Sequence, residues 1–151
     1  MRVVLTTVNR ASVTIQGKVV SSISRGFLLL VGFTSGDNEE IVEKMVDKIL
    51  SLRVFPDEHG QINISLDDVD GRILSVSQFT LYGDVKKGRR PSFVDALRPF
   101  EAEKLYDYFN LLIEQKRGMV ATGVFGADMK VESENDGPFT LLLDSKELFP
   151  L

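Results

Sequence analysis

The sequence predicts a mixed α+β (α/β) fold, with layered, mainly antiparallel or mixed β-sheets and two helices packed on one side. Three observations lead there. Segments of period-two alternation are separated by turn residues, one continuous apolar run is bounded by glycines, and two stretches repeat apolar residues at helical spacing.

Val3 to Val8 and Ala11 to Ile15 partly alternate and read as half-buried strands, and Gln16-Gly17 is a tight turn into a strand over Lys18 to Ile23. The run Gly26-Phe27-Leu28-Leu29-Leu30-Val31-Gly32 suits a central strand covered on both faces. Asp37 followed by Glu40 resembles a capping box, and Ile41, Val42, Met45, Val46, Ile49 and Leu50 share one face of a helix expected over 38–50. Arg53 to Phe55 and Gln61 to Leu66 read as strands around Pro56-Asp57-Glu58-His59-Gly60, and Arg72 to Thr80 as a longer strand. From Tyr82 to Ser92 no period survives, and a mobile basic loop is expected. A second helix starts near Pro99, carries Leu105, Tyr108, Phe109, Leu112 and Ile113 as its stripe, and stops at Gly118. Val120 to Phe125, Lys130 to Glu134 and Phe139 to Leu143 read as three further strands.

A length of 151 residues fits one domain over 1–151, and 43% hydrophobic with 26% charged residues is ordinary globular composition. The chain has no cysteine and one histidine, which excludes disulfides, thiolate nucleophiles and any site needing two histidines from one chain. No carboxylate pattern suggests a metal, so no metal and no cofactor are expected. The opening residues lack the features of a signal peptide, and the longest apolar run is far short of the ~20 residues of a membrane span, so a cytoplasmic protein with no membrane partner is expected. A net charge of −4 repels phosphate on average, and nucleic-acid binding then needs a local basic patch. Lys86, Lys87, Arg89 and Arg90 supply one; the same four residues also suit a merely solvated loop.

His59 is the orthodox general base, yet it sits in a polar turn where exposed residues are normal, and nothing in the sequence puts a hydroxyl beside it. Ser77-Gln78-Phe79-Thr80 ends a strand immediately before the basic loop, a common location for sites. Period two places Ser77 and Phe79 on one face and Gln78 and Thr80 on the other, and by strand mechanics alone these are ordinary residues of a half-exposed strand. In Asn135-Asp136-Gly137-Pro138-Phe139-Thr140, composition does not say whether the Gly-Pro bond is cis or trans.

Taken together, Ser77-Gln78-Phe79-Thr80-Leu81 and Asn135-Asp136-Gly137-Pro138-Phe139-Thr140 resemble the motif pair of the D-aminoacyl-tRNA deacylase family, first named for D-tyrosyl-tRNA. The resemblance covers the whole chain and includes Met1-Arg2-Val3-Val4, Arg10-Ala11-Ser12-Val13, Lys87-Gly88-Arg89-Arg90-Pro91-Ser92-Phe93 and Gly126-Ala127-Asp128-Met129. Phe139 departs from it, since the family often carries valine there. The resemblance implies the deacylase fold and a homodimer that cleaves the ester between a D-amino acid and tRNA, with glycyl-tRNA, including glycine mischarged on alanine tRNA, also accepted. It implies a cis Gly137-Pro138 bond whose main-chain carbonyls, entering the partner's site, leave no room for an L side chain. Substrate contacts fall to Phe79, Gly137 and Pro138, with Phe125 and Met129 either lining the pocket or sitting in the core. The aminoacyl-tRNA and a second copy are the expected partners, with no DNA.

For the chemistry, the family offers Thr80 as nucleophile, or the side chains and amides of Ser77 to Thr80 holding the ester while the ribose 2′-OH assists. The second is preferred, because an unactivated hydroxyl is a weak attacker and an aminoacyl ester is already reactive. Two rivals are a single-stranded RNA-binding module stacking bases on Phe79 and Tyr82, and a dimerisation domain whose Gly-Pro segment only shapes an interface.

Overall fold

The computed structural model describes residues 1–150. β1 (Arg2–Ile15) is one continuous strand, not two, and a register shift between Val13 and Thr14 marks an irregularity near its end. Gln16 and Gly17 both take positive φ, as a two-residue hairpin turn requires, and lead into β2 (Lys18–Ile23) and then β3 (Gly26–Gly32). The first long helix, α1 (Glu39–Ser51), starts one residue later than the Asp37 cap predicts. Asn38 is the cap, its carboxamide oxygen accepting from the Ile41 N–H at 3.0 Å. Asp37 is occupied elsewhere, accepting from the Thr34 N–H and the Met1 ammonium, both at 2.8 Å.

β4 (Phe55–Pro56) and β5 (Ile62–Ile64) form a small separate hairpin, shorter than the sequence pattern suggests. β6 (Arg72–Ser77) runs parallel to β3 from Gly26 opposite Arg72 to Val31 opposite Ser77. The expected strand to Thr80 stops there because β3 itself ends at Gly32. The Gln78 N–H makes a last bond to the Val31 carbonyl at 2.8 Å, and the chain tightens into a 3₁₀ turn over Phe79–Tyr82. α2 (Pro99–Arg117) has its predicted proline start and its stop at Gly118. β7 is only Ala121–Thr122, parallel to β6.

β8 (Lys130–Asp144) joins the two expected strands into one that pairs antiparallel with β1. Thr6 faces Thr140 and Val8 faces Asn135, so three extra residues of β8 loop out at the Gly-Pro segment. A third helix, α3 (Ser145–Leu148), was not anticipated; four residues show no periodicity, and its signal is the Asp144 carboxylate accepting from the Lys146 N–H at 3.0 Å.

The main sheet runs β2-β1-β3-β6-β7, with β8 on the other edge of β1. It curls until the Ser21 hydroxyl on β2 donates to the Thr122 carbonyl on β7. Phe27, Leu29 and Val31 of β3 pack against Val42, Met45 and Ile49 of α1 and Phe109 and Ile113 of α2. Leu28, on the opposite face, joins Val13, Leu74 and Val76 inside the curl. The apolar run is therefore buried on both faces, as its composition predicts. Among the described residues no helix is long and apolar enough to cross a membrane.

The parallel start of β3 and β6 depends on Gly26. A Cβ there would lie 1.8 Å from the Arg72 carbonyl oxygen, so the backbones of two central strands would have to separate. Gly26→Ala is expected to cost roughly 3 kcal/mol, read as a lowered midpoint in urea denaturation with an unchanged slope. An unchanged midpoint would mean that the strands part freely.

Candidate active site

A cleft of about 740 Å³ opens at the carboxyl ends of the parallel pair β3 and β6. Such strand ends are where open sheets receive ligands, because the chain leaves the ladder there and frees its polar groups. Ser77, Gln78 and Phe79 form one wall and Phe125 and Met129 another, and Arg98, Pro99 and Ala102 at the start of α2 also line it. Five residues singled out in the sequence thus meet in one place. Arg98 and Asp128 are the only ionisable groups in the lining, which is otherwise mainly apolar.

The 3₁₀ turn overrides the period-two assignment of faces. Phe79 and Thr80 are both exposed, Phe79 by 54% with its ring edge-on to Phe93 at 5.2 Å between centroids. Thr80 does not line the cleft itself. Its Oγ1 accepts from the Gln78 carboxamide, and no imidazole or carboxylate contacts it among the described residues. His59 lies in the β4–β5 turn, 79% exposed, with only Glu58 beside it at 3.6 Å. The amides of Phe79 and Thr80, at the opening of the turn, donate to no group among the described residues. Tyr82, the last residue of the turn, is buried, and that burial, with Asp37 and Asp144 nearby, raises its phenol well above the usual pKa. It offers no ring surface to a base.

Gly137 and Pro138 are not in the cleft of their own chain. They form the exposed tip of the β8 excursion, joined by a cis peptide bond. Asn135 holds the excursion closed: its side-chain oxygen accepts from the Phe139 N–H at 2.8 Å, and its amide donates to Thr140 Oγ1 at 3.0 Å. The Thr7 hydroxyl donates to the Asp136 carbonyl at 3.0 Å from β1. Asn135 and Thr140, which flank the Gly-Pro pair in the second motif, staple the excursion locally, as Asn side chains do in turns.

The basic segment is less irregular than the sequence suggests. Asp84 and Ser92 exchange two backbone bonds of 2.8 Å, and Thr34 pairs with Ala96, so the segment is a finger with a closed base. Lys86, Lys87, Arg89 and Arg90 sit exposed on it, none in an ion pair among the described residues. Its root, Phe93 and Val94, borders the cleft. Among the described residues no three His, Asp or Glu side chains group as a metal ion would need.

The family model described as D-Tyr-tRNA(Tyr) deacylase matches residues 4–144, a span that contains both cleft walls and the Gly-Pro tip. The chain is 56% identical over 144 residues to the D-aminoacyl-tRNA deacylase of Lactobacillus acidophilus, covering 95% of this chain and 99% of that one. It is 55% identical over 152 residues to the protein of the same name from Thermoanaerobacter pseudethanolicus, covering 99% and 100%. A solved structure described as a c-Myc DNA unwinding element binding protein superposes with a TM-score of 0.89 at 41% identity, covering 95% and 98%. One described as a probable eukaryotic D-amino acid tRNA deacylase shares the fold with a TM-score of 0.83 at 23% identity, covering 94% and 97%. With the matched span running through every element that shapes the cleft, the chain belongs to the D-Tyr-tRNA(Tyr) deacylase family.

Proposed function

We propose that this chain hydrolyses the ester of D-aminoacyl-tRNA in the cleft at the ends of β3 and β6, releasing the D-amino acid and free tRNA. The observation that carries the reading is the meeting of Ser77, Gln78 and Phe79 with Phe125 and Met129 around a cleft of about 740 Å³, a volume suited to an aminoacyl-adenosine terminus. The exposed Phe79 ring offers a stacking face for a base, and the finger cations offer contacts to phosphates beside the acceptor end. A module that only stacks RNA on Phe79 and Tyr82 is disfavoured, because Tyr82 is buried.

The chemistry follows from what the cleft and its rim contain. The free amides of Phe79 and Thr80 are donors of the kind that stabilise a developing oxyanion, and the Gln78 carboxamide sits beside them. No general base contacts Thr80, so a water assisted by the ribose 2′-OH attacks the ester carbonyl, the C–O bond to the ribose breaks, and the ribose oxygen takes a proton. Thr80→Ala is then expected to retain at least about a tenth of wild-type turnover, with no acyl-enzyme in mass spectra of quenched reactions. Abolished turnover with substrate binding intact, or a trapped acyl-threonine, contradicts this.

Stereoselection is assigned to a second copy of the chain. The Gly137-Pro138 tip is exposed and does not line the cleft of its own chain, and β8 is bonded along one edge only, by β1. A long open edge invites pairing, and Val131 and Leu142 expose apolar surface along it. In the homodimer the tip of one protomer enters the cleft of its partner and presents main-chain carbonyls to the substrate's amino group and α-carbon. A backbone wall excludes an L side chain while reading no D side chain, and achiral glycine passes, including glycine mischarged on alanine tRNA.

A further inference from the structure

We infer that Tyr106, on α2 and outside both sequence motifs, is a positioning residue for deacylation that holds the two walls of the cleft in register through the Ser75 carbonyl. The Tyr106 hydroxyl donates to that carbonyl at 2.8 Å in a buried contact. The same oxygen accepts from the Gly123 N–H at 3.0 Å. Ser75 lies two residues before Ser77 on one wall, and Gly123 two residues before Phe125 on the other. One carbonyl therefore joins both walls, and Tyr106 fixes it from behind. The Tyr106 ring also packs against the Phe125 ring, 6.0 Å between centroids, so a single side chain touches the Ser75 junction by its tip and the far wall by its face.

The hydroxyl is costly where it stands. It is carried into the core between α2 and the sheet, where Tyr106 is 2% exposed among Phe109, Ile113, Ile73 and Ala102. Burial raises its pKa above that of an ordinary phenol, with the Ser75 contact pulling the other way, so it stays protonated and able to donate. Phenylalanine would fill the same space without this penalty. What tyrosine adds is the bond to Ser75, and the position of that bond behind the cleft is the reason to assign it a role in turnover rather than in packing.

The assignment rests on the deacylase reading, and Tyr106→Phe tests it. Wild type, Tyr106→Phe and Phe109→Leu are compared on D-tyrosyl-tRNA at 20 °C, with thermal midpoints measured beside the kinetics. Phe109 is fully buried in the same core and, having no polar atom in its side chain, makes no hydrogen bond to the Ser75 carbonyl, so its truncation reports packing without that bond. Tyr106→Phe is expected to lower kcat about tenfold while KM moves less than about twofold, because loosened walls misplace the reacting ester without removing a substrate contact. Phe109→Leu is expected to lower the midpoint at least as far and leave kcat unchanged. A Tyr106→Phe enzyme with wild-type kcat overturns the assignment, as does a parallel loss of kcat in Phe109→Leu. A wild-type protein that releases no amino acid overturns the deacylase reading itself.

Discussion

Gly137→Ala is expected to lower kcat/KM for D-aminoacyl-tRNA by about 100-fold while sedimentation finds the proposed dimer as in the wild type. Gly137 has φ of +128°, a conformation L side chains rarely adopt, and an added Cβ would sit 3.2 Å from the Phe139 amide nitrogen and 3.4 Å from the Phe139 Cβ. Both neighbours belong to the segment that Asn135 holds closed, so the excursion cannot absorb the methyl without turning its tip. In the proposed dimer the displaced group is a carbonyl facing the partner's substrate, and a shift on the order of 1 Å there is enough for a loss of this size. Folding should hardly change, because the tip is exposed and packs against nothing in its own core. If the variant instead alters only the dimer's dissociation and keeps full activity at saturating protein, the Gly-Pro segment merely shapes an interface.

Much of this architecture was legible in the residues because local pattern and burial agree. Gly26 to Gly32 could be read as a two-faced central strand, and α2 from Pro99 to Gly118, because each element carries its own start, stop and stripe. The errors fall where a partner elsewhere in the chain overrides the local signal. Asp37 has the composition of a cap but is claimed by Thr34 and Met1, and Thr80 continues an alternating pattern whose partner strand has already ended. Lys130 to Glu134 and Phe139 to Leu143 looked like two strands because the turn residues between them are real, yet β1 pairs with both and makes them one.

The candidate site was legible only through its motifs. Ser77, Gln78 and Phe79 are contiguous, but that Phe125 and Met129 face them across a cleft depends on the β6–β7 pairing, which two residues of β7 could not announce. Tyr106 was invisible for a different reason. It falls outside the stripe of Leu105, Tyr108, Phe109, Leu112 and Ile113 expected on α2, whereas the buried face is Ala102, Tyr106, Phe109 and Ile113. The amphipathic tyrosine and the small alanine blurred the pattern, and the wall junction they flank appears only once the sheet has curled.

In the proposed reaction a backbone wall in this cleft selects against L-aminoacyl esters without a metal. The direct test is release of labelled amino acid from matched D-tyrosyl-tRNA and L-tyrosyl-tRNA, each in large excess over protein, with and without EDTA. Rejection of the L form places a side chain against fixed main-chain atoms, a cost of several kcal/mol, so the D form should be cleaved at least about 100-fold faster. EDTA should change neither rate, and glycyl-tRNA run beside them should be cleaved. Equal loss of both enantiomers would contradict the wall, and loss of neither with tRNA still bound would leave a nucleic-acid-binding protein in place of an enzyme.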